Sequence, residues 1–336
     1  MIPLEALRAV RVVIAHGYPD GPCPDGLAGA MVLQDVLPHA EIRFSVLNTS
    51  AYEALPADPH MLFVDMVPPE SRLDEFVAAG AIVLDHHKNN RDAITRFGER
   101  GVFADEVTEP GVSGALLAFE HVWLPFWREL FMEPFADAAN VGRVRAFAEL
   151  VGVRDTWQQK DPRWRAACAQ SKVLRFFPPE DWLDGDPLNE SRLTSRISML
   201  GEVLMRKDDE QTKQLLASAF PFQTPRGTRV VVLPSTYVSD AATAIGDEAD
   251  VVIGFNFRLG RGHVPDLRLS FRSRGARDVA AIAKTLGGGG HTNAAGAAVS
   301  LTLGGAIDRY EDETDPHDES TSRNPYTMIQ RIMAAF

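Results

Sequence analysis

Asp85, His86 and His87 stand in succession at the end of an apolar run, residues 81–84 (AIVL), and two earlier runs end in a similar way. Residues 10–15 (VRVVIA) lead into His16, and residues 61–64 (MLFV) lead into Asp65. Adjacent imidazoles are costly to bury without partners, so such a succession is a poor packing solution and a good source of ligands. Asp20 and Asp25 follow His16 in a Gly- and Pro-rich turn, and Asp155 comes later, just before Trp157. If His16, Asp20, Asp25, Asp65, His86 and Asp155 meet, four carboxylates share a confined space where like charges disfavour joint ionisation. Two divalent cations would offset those charges. Oxygen and imidazole donors suit Mn2+, Mg2+ or Fe2+ better than a structural zinc, manganese being the first choice, and a shared carboxylate sets two ions roughly 3.5–4 Å apart. Such a pair lowers the pKa of a bridging water and stabilises the attacked phosphorus and its leaving oxygen, the chemistry of phosphoester or phosphoanhydride hydrolysis.

Residues so far apart in sequence converge only if the apolar runs are neighbouring strands that end on one side of a sheet, where open α/β proteins build their sites. The first run reaches a turn that resolves into a helix near Gly26, with Leu27, Ala30, Met31, Leu33 and Leu37 able to line an inner face. Small Ala28, Gly29 and Ala30 permit that helix to approach the sheet closely. Strands at 41–47, 61–65 and 81–85 alternate with a helix at 69–79, which implies crossover connections and a parallel sheet. Helices at 111–122 and 135–151 follow, and a polar helix over 191–219 reads as a connector. A second α/β unit then begins, with strands at 229–233, 251–257 and 267–271 and a helix at 278–286 running into GGGGHTNAAG.

The expected fold class is therefore α/β, an N-terminal parallel sheet with helices on both faces and a smaller C-terminal α/β domain. The expected boundaries are 1–185, a connector at 186–222, a second domain at 223–304 and a tail at 305–336. In the tail, residues 311–319 (EDETDPHDE) hold six acids and read as a solvated segment, and residues 328–336 read as a docking helix. Phe255, Phe257 and Phe271 offer an aromatic platform for a base, although alternation in a strand favours the core for them.

At 336 residues and 45% apolar content, the chain can bury a core in each of two domains. A formal net charge of −12 argues against a coat on long duplex nucleic acid or an anionic membrane surface, and for a small partner. The first residues carry no long apolar core before a small-residue cleavage site and no run approaches bilayer-spanning length, so the expectation is cytoplasmic. Cys23 and Cys168 are too few for a disulfide framework. Each reads as a small buried residue, with thiol ligation or redox control the sharper alternative for Cys23 because of its neighbours.

Taken jointly, Asp85-His86-His87, the His-x-x-x-Asp of His16 and Asp20 with Asp25-Gly26 after it, Asp65, Asp155 and the GGGGHTNAAG run at 287–296 resemble the DHH phosphoesterase superfamily. The resemblance is to its DHH plus DHHA1 architecture and extends to residue 303. It implies one manganese ion held by His16, Asp20 and Asp65 and another by Asp25, Asp65, His86 and Asp155, with Asp65 bridging. Asp85 would orient a neighbouring histidine, and His87 would face the scissile phosphate or leaving group. One departure is that Gly21-Pro22-Cys23-Pro24 separates Asp20 from Asp25, where many members have a single residue, which leaves open whether both His16 and Asp20 ligate. The C-terminal segment SFRSRGARDVAAIAKTLGGGGHTNAAG resembles the nanoRNase/pAp-phosphatase branch. There Arg272 would grip a phosphate, Gly288, Gly289 and Gly290 would offer backbone N–H groups to an anion at a helix start, and His291 would donate to the same phosphate. The implied activity is Mn2+-dependent hydrolysis of short oligonucleotides or pAp. Cyclic dinucleotide or polyphosphate hydrolysis is the alternative, and a non-hydrolytic nucleotide-binding module is the reading from another class. A homodimer is compatible with either.

Overall fold

The computed structural model describes residues 2–300, apart from 20, 106–107, 131–137, 237, 260–264 and 275–276. The expectations for Asp20, for the acidic segment at 311–319 and for the helix at 328–336 lie outside the described residues. Packing divides the chain into two units, Met1–Met205 and Arg206–Phe336.

The first unit is built on strands β1 (Val12–Tyr18), β2 (Gly21–Pro22), β3 (Glu41–Ser45), β4 (Met61–Val64), β5 (Ile82–Asp85) and β6 (Gly101–Phe103). Five of them run parallel in the order β3–β1–β4–β5–β6, as the strand–helix alternation requires, and β2 folds back antiparallel on the end of β1. Alternate side chains of each strand point to opposite faces, and both faces are covered. Val13, Ala15, Leu62, Val64, Ile82 and Leu84 enter one core with the helix Pro24–Val36. Ile14, Phe63 and Val83 enter the other with Tyr52, Phe76 and Ile94. Gly29 sits where a Cβ would come within 2.7 Å of Val64 Cγ2, so only glycine lets that helix lie so close to β4.

Some local expectations change. The first strand does not stop at residue 15, because β2 extends its pairing through Gly17 and Tyr18. The helix expected from 111 starts at Gly114, where the Ser113 hydroxyl caps it by accepting from the Leu116 N–H at 3.2 Å. Asp155 ends the helix Ala138–Asp155 instead of following one. Among the described residues no helix is long and apolar enough to cross a membrane. The long helix is Glu190–Leu216.

The second unit contains β7 (Phe220–Gln223), β8 (Arg229–Leu233), β9 (Val251–Leu259), β10 (Pro265–Ser273), β11 (Gly289–His291) and β12 (Ala294–Ser300) in one mixed sheet of order β11–β12–β10–β9–β8–β7. Ile253, Leu267, Leu269 and Phe271 pack under the helix Val279–Thr285, whose Asp278 side chain caps the Ala280 and Ala281 amides. Phe271 is thus core, while Phe257 is 56% exposed with Phe255 edge-to-face against it. The glycine run does not start a helix, which corrects the expected helix-start anion site. It leaves the C-terminal end of Val279–Thr285 and enters the β11–β12 hairpin. A Cβ on Gly288 would lie 2.1 Å from the Gly296 carbonyl, and Gly290, at φ +140°, would place one 2.5 Å from that of Ala294. At Gly288 and Gly290 glycine is required because two backbones meet.

Candidate metal centre

The carboxyl ends of β1, β4 and β5, adjacent strands, deliver His16, Asp65 and Asp85-His86 to one place, and β3 lies on the far side of β1, so the strand order reverses there. Asp65 directly follows β4 with φ at +62°, a left-handed conformation rare outside glycine. Its N–H is held by the Leu84 carbonyl at 2.9 Å. Each carboxylate oxygen faces a different histidine: Oδ2 lies 3.3 Å from His16 Nδ1, and Oδ1 lies 3.3 Å from His86 Nε2. The same His86 nitrogen is 3.3 Å from Asp155 Oδ2 and 3.5 Å from Asp25 Oδ2.

Three groups of donors result among the described residues, each with ligand atoms within 4.8 Å of one another: Asp25, His86 and Asp155 in one, His16, Cys23 and Asp65 in another, and Asp65, Asp85, His86 and His87 in a third that draws on both sides. Asp65 belongs to both neighbourhoods through its two oxygens. This donor chemistry fits divalent cations, since several buried carboxylates and imidazoles point at shared points rather than at separate partners.

Asp25 is fully buried and held by the next helix: the Gly114 N–H donates to Oδ2 at 2.6 Å and the Ala115 N–H to Oδ1 at 2.8 Å. A Cβ at Gly114 would lie 2.8 Å from Asp65 Cβ and 3.1 Å from Asp25 Oδ2, so this glycine makes room for both carboxylates. Asp85, also fully buried, accepts at Oδ1 from the His86 N–H (2.8 Å), the His87 N–H (3.2 Å) and His87 Nδ1 (2.7 Å), and at Oδ2 from the Asn90 amide (2.6 Å). Both Asp85 oxygens are thus engaged with neighbouring donors.

Burial, together with Asp65 and Asp155, pushes the Asp25 carboxyl well above its ordinary range. Burial opposes ionisation of Asp65 too, but hydrogen bonds from His16 and His86 hold its pKa well below the usual range. Burial would lower His86, yet its bond to Asp65 and the charges of Asp155 and Asp25 raise it well above 6.5. His87 is likewise raised, against burial, to about 9 by the charge and hydrogen bond of Asp85. Burial and the carboxylates of Asp65, Asp155 and Asp25 raise the Cys23 thiol. In the chain by itself, raised histidines offset the buried carboxylates, a charge balance that a divalent ion would take over.

The structure therefore brings together His16, Asp25, Asp65, Asp85, His86, His87 and Asp155. Cys23, Asn90 and the Ser113–Gly114–Ala115 helix start belong to the same place; Cys23 drew notice through its neighbours in the sequence, whereas Asn90 and the helix start act on partners distant along the chain or at its turns. In the second unit, register places Arg272 opposite Ala294 and Ala294 opposite His291, so both side chains leave the same sheet face with a small residue between them. Arg272 Nε and Nη2 donate to Ser239 Oγ at 3.2 and 3.0 Å, and Nη1 donates to the Phe271 carbonyl at 2.8 Å.

No protein-family model and no curated protein sequence matches the chain. Among solved structures it is similar to the DHH domain of a protein described as a member of the s1p family of ribosomal proteins, at 12% identity and a TM-score of 0.58, covering 98% of this chain and 87% of that one. It is also similar to a pGpG-specific phosphodiesterase from Vibrio cholerae, at 14% identity and a TM-score of 0.44, covering 97% and 99% of the two chains. An exopolyphosphatase-related protein from Bacteroides fragilis matches at 11% identity and a TM-score of 0.40, covering 92% and 93%. The first likeness shows that the chain has the fold of a DHH-domain protein.

Proposed function

Proceeding from that shared DHH-domain fold, we propose that the chain is a metal-dependent phosphoesterase of the DHH superfamily, acting on short oligonucleotides in the manner of a nanoRNase and on pAp as a 3′-phosphatase. The observation that carries the reading is the convergence of His16, Asp25, Asp65, His86 and Asp155, with one oxygen of Asp65 turned to each histidine. Asp25, Asp65, His86 and Asp155 would hold one divalent cation and His16 and Asp65 the other, with Mn2+ the proposed ion; Asp20, outside the described residues, is a further ligand to test. When bound, such ions lower the pKa of a water and stabilise charge on the attacked phosphoryl group.

The remaining work falls to the chain. His87 Nδ1–H donates to Asp85 Oδ1 at 2.7 Å, which orients the ring and leaves Nε2 to face the leaving oxygen. In the metal-free chain the charge and hydrogen bond of Asp85 raise His87 to about 9 against its burial, and a histidine beside such a carboxylate is suited to give a proton to the departing leaving group. Arg272 and His291, in register across Ala294, are assigned to a phosphate of the substrate, with Gly288, Gly289 and Gly290 shaping the hairpin beside them. A small anionic substrate suits a chain of net charge −12, which repels long polyanions.

The test is product analysis of a 5′-phosphorylated diribonucleotide incubated with the protein and Mn2+, beside His86→Ala. Mononucleotide from the wild type and none from the variant supports the reading. Activity confined to cyclic dinucleotide or polyphosphate moves the substrate within the superfamily. Nucleotide binding without hydrolysis of any of these moves the protein to the binding-module class.

A further inference from the structure

Resting on the two-metal reading above, we propose that Cys23 is a ligand of the ion held by His16 and Asp65, so that the two ions occupy unlike sites, one with a thiolate donor and one with oxygen and imidazole donors only. The hairpin between β1 and β2 carries the argument. β1 runs past His16, β2 returns with Tyr18 opposite Gly21 and Gly17 opposite Pro22, and the Cys23 N–H then donates to the His16 carbonyl at 3.3 Å. The helix that follows is pinned to the same place, since a Cβ on Gly26 would lie 2.4 Å from the His16 carbonyl oxygen. Gly17 and Tyr18 are thus paired with Pro22 and Gly21, and Cys23 is returned to the side of His16.

There it is 3% exposed, and its sulfur, a His16 nitrogen and an Asp65 oxygen all lie within 4.8 Å of one another. A sulfur, an imidazole and a carboxylate oxygen at that spacing form three corners of a coordination shell. Cys168 provides the contrast: equally buried, it sits in the helix Trp164–Phe176 and belongs to no donor group among the described residues. A thiolate makes the first site softer than the second, favouring Zn2+, Fe2+ or Co2+ over Mg2+ there, while the Asp25, Asp65, His86 and Asp155 group keeps a preference for Mn2+.

The experiment is a Co2+ titration of the metal-free protein followed by absorption, in which the visible bands report bound cobalt and a near-ultraviolet charge-transfer band reports a sulfur ligand. The expected result is both signals in the wild type. Cys23→Ser loses the charge-transfer band and keeps visible bands from the second ion, whereas Cys168→Ser and His86→Ala keep the charge-transfer band. Visible bands without charge transfer in the wild type overturn the proposal and leave the two-metal reading standing. Loss of the band in His86→Ala assigns the sulfur to the other ion and also overturns it. Absence of every cobalt signal removes both the proposal and the metal reading beneath it. The wild-type spectrum decides the matter even if Cys23→Ser fails to fold.

Discussion

At the scale of single residues, Asp85 and His87 behave as one unit. The carboxylate accepts from both histidine amides, the His87 ring and Asn90, so Asp85→Asn sets an amide N–H against donors and releases the His87 ring. Turnover is expected to fall by roughly 100-fold or more while KM changes little, and stability by about 1–3 kcal/mol, measured by steady-state kinetics and urea unfolding. The pair also predicts a pH dependence for the metal-free protein. His87 is raised from 6.5 to about 9 on folding, so its stabilising contribution is complete below 6.5 and disappears as pH rises through about 9. Asp85 is lowered from 3.8, against its burial, by the charge and hydrogen bond of His87, so its contribution is present above 3.8 and lost as pH falls through the lower folded value. Unfolding free energies of wild type and His87→Gln should therefore differ most between 3.8 and 6.5, narrow through neutrality and converge above about 9. A constant difference across that range would remove the electrostatic account.

At the scale of elements, the helix start at Gly114 decides where two carboxylates sit. Gly114→Ala introduces a Cβ against Asp65 and Asp25 while keeping the helix, since alanine is the better helix former. Metal affinity is expected to drop on the order of 10–100-fold with the circular dichroism unchanged, read by titration calorimetry. How much of this could be read in advance depends on how local each cause is. His16, Asp65 and His86 were legible because each closes an apolar strand, and Asp25 because Gly26 and a small-residue helix follow it. The parallel order of the sheet followed from the alternation of elements. Cys23 drew notice only through its neighbours, since its place depends on pairing between Tyr18 and Gly21, and Asn90 and Gly114 were missed because their roles depend on partners that only folding brings near. The glycine run was read as a helix start, and it enters a hairpin instead. A row of glycines reports that a backbone comes close, and nothing in GGGGHTNAAG says whether an anion or the strand β12 does so.

At the scale of the whole molecule, the buried carboxylates couple folding to metal. Ions that bind the folded chain alone stabilise it by about 2.7 kcal/mol at a free concentration of 100 Kd, so chelation is expected to lower the melting temperature and Mn2+ to restore it. Asp65 faces both donor groups, so Asp65→Asn should abolish most of that metal-dependent shift, whereas Asp155→Asn should leave part of it. Equal shifts in the two variants would argue against Asp65 as the shared ligand.

The left-handed backbone at Asp65 has a consequence for the history open to such a chain. Once metal chemistry is abandoned, selection no longer defends the carboxylate, but the +62° φ remains and still excludes most side chains. Alanine there keeps a conformational penalty of about 1 kcal/mol that glycine escapes, and asparagine bears it more easily than branched residues. Drift at position 65 would therefore run toward Gly or Asn, leaving a mark by which an inactive descendant could be told from a working enzyme.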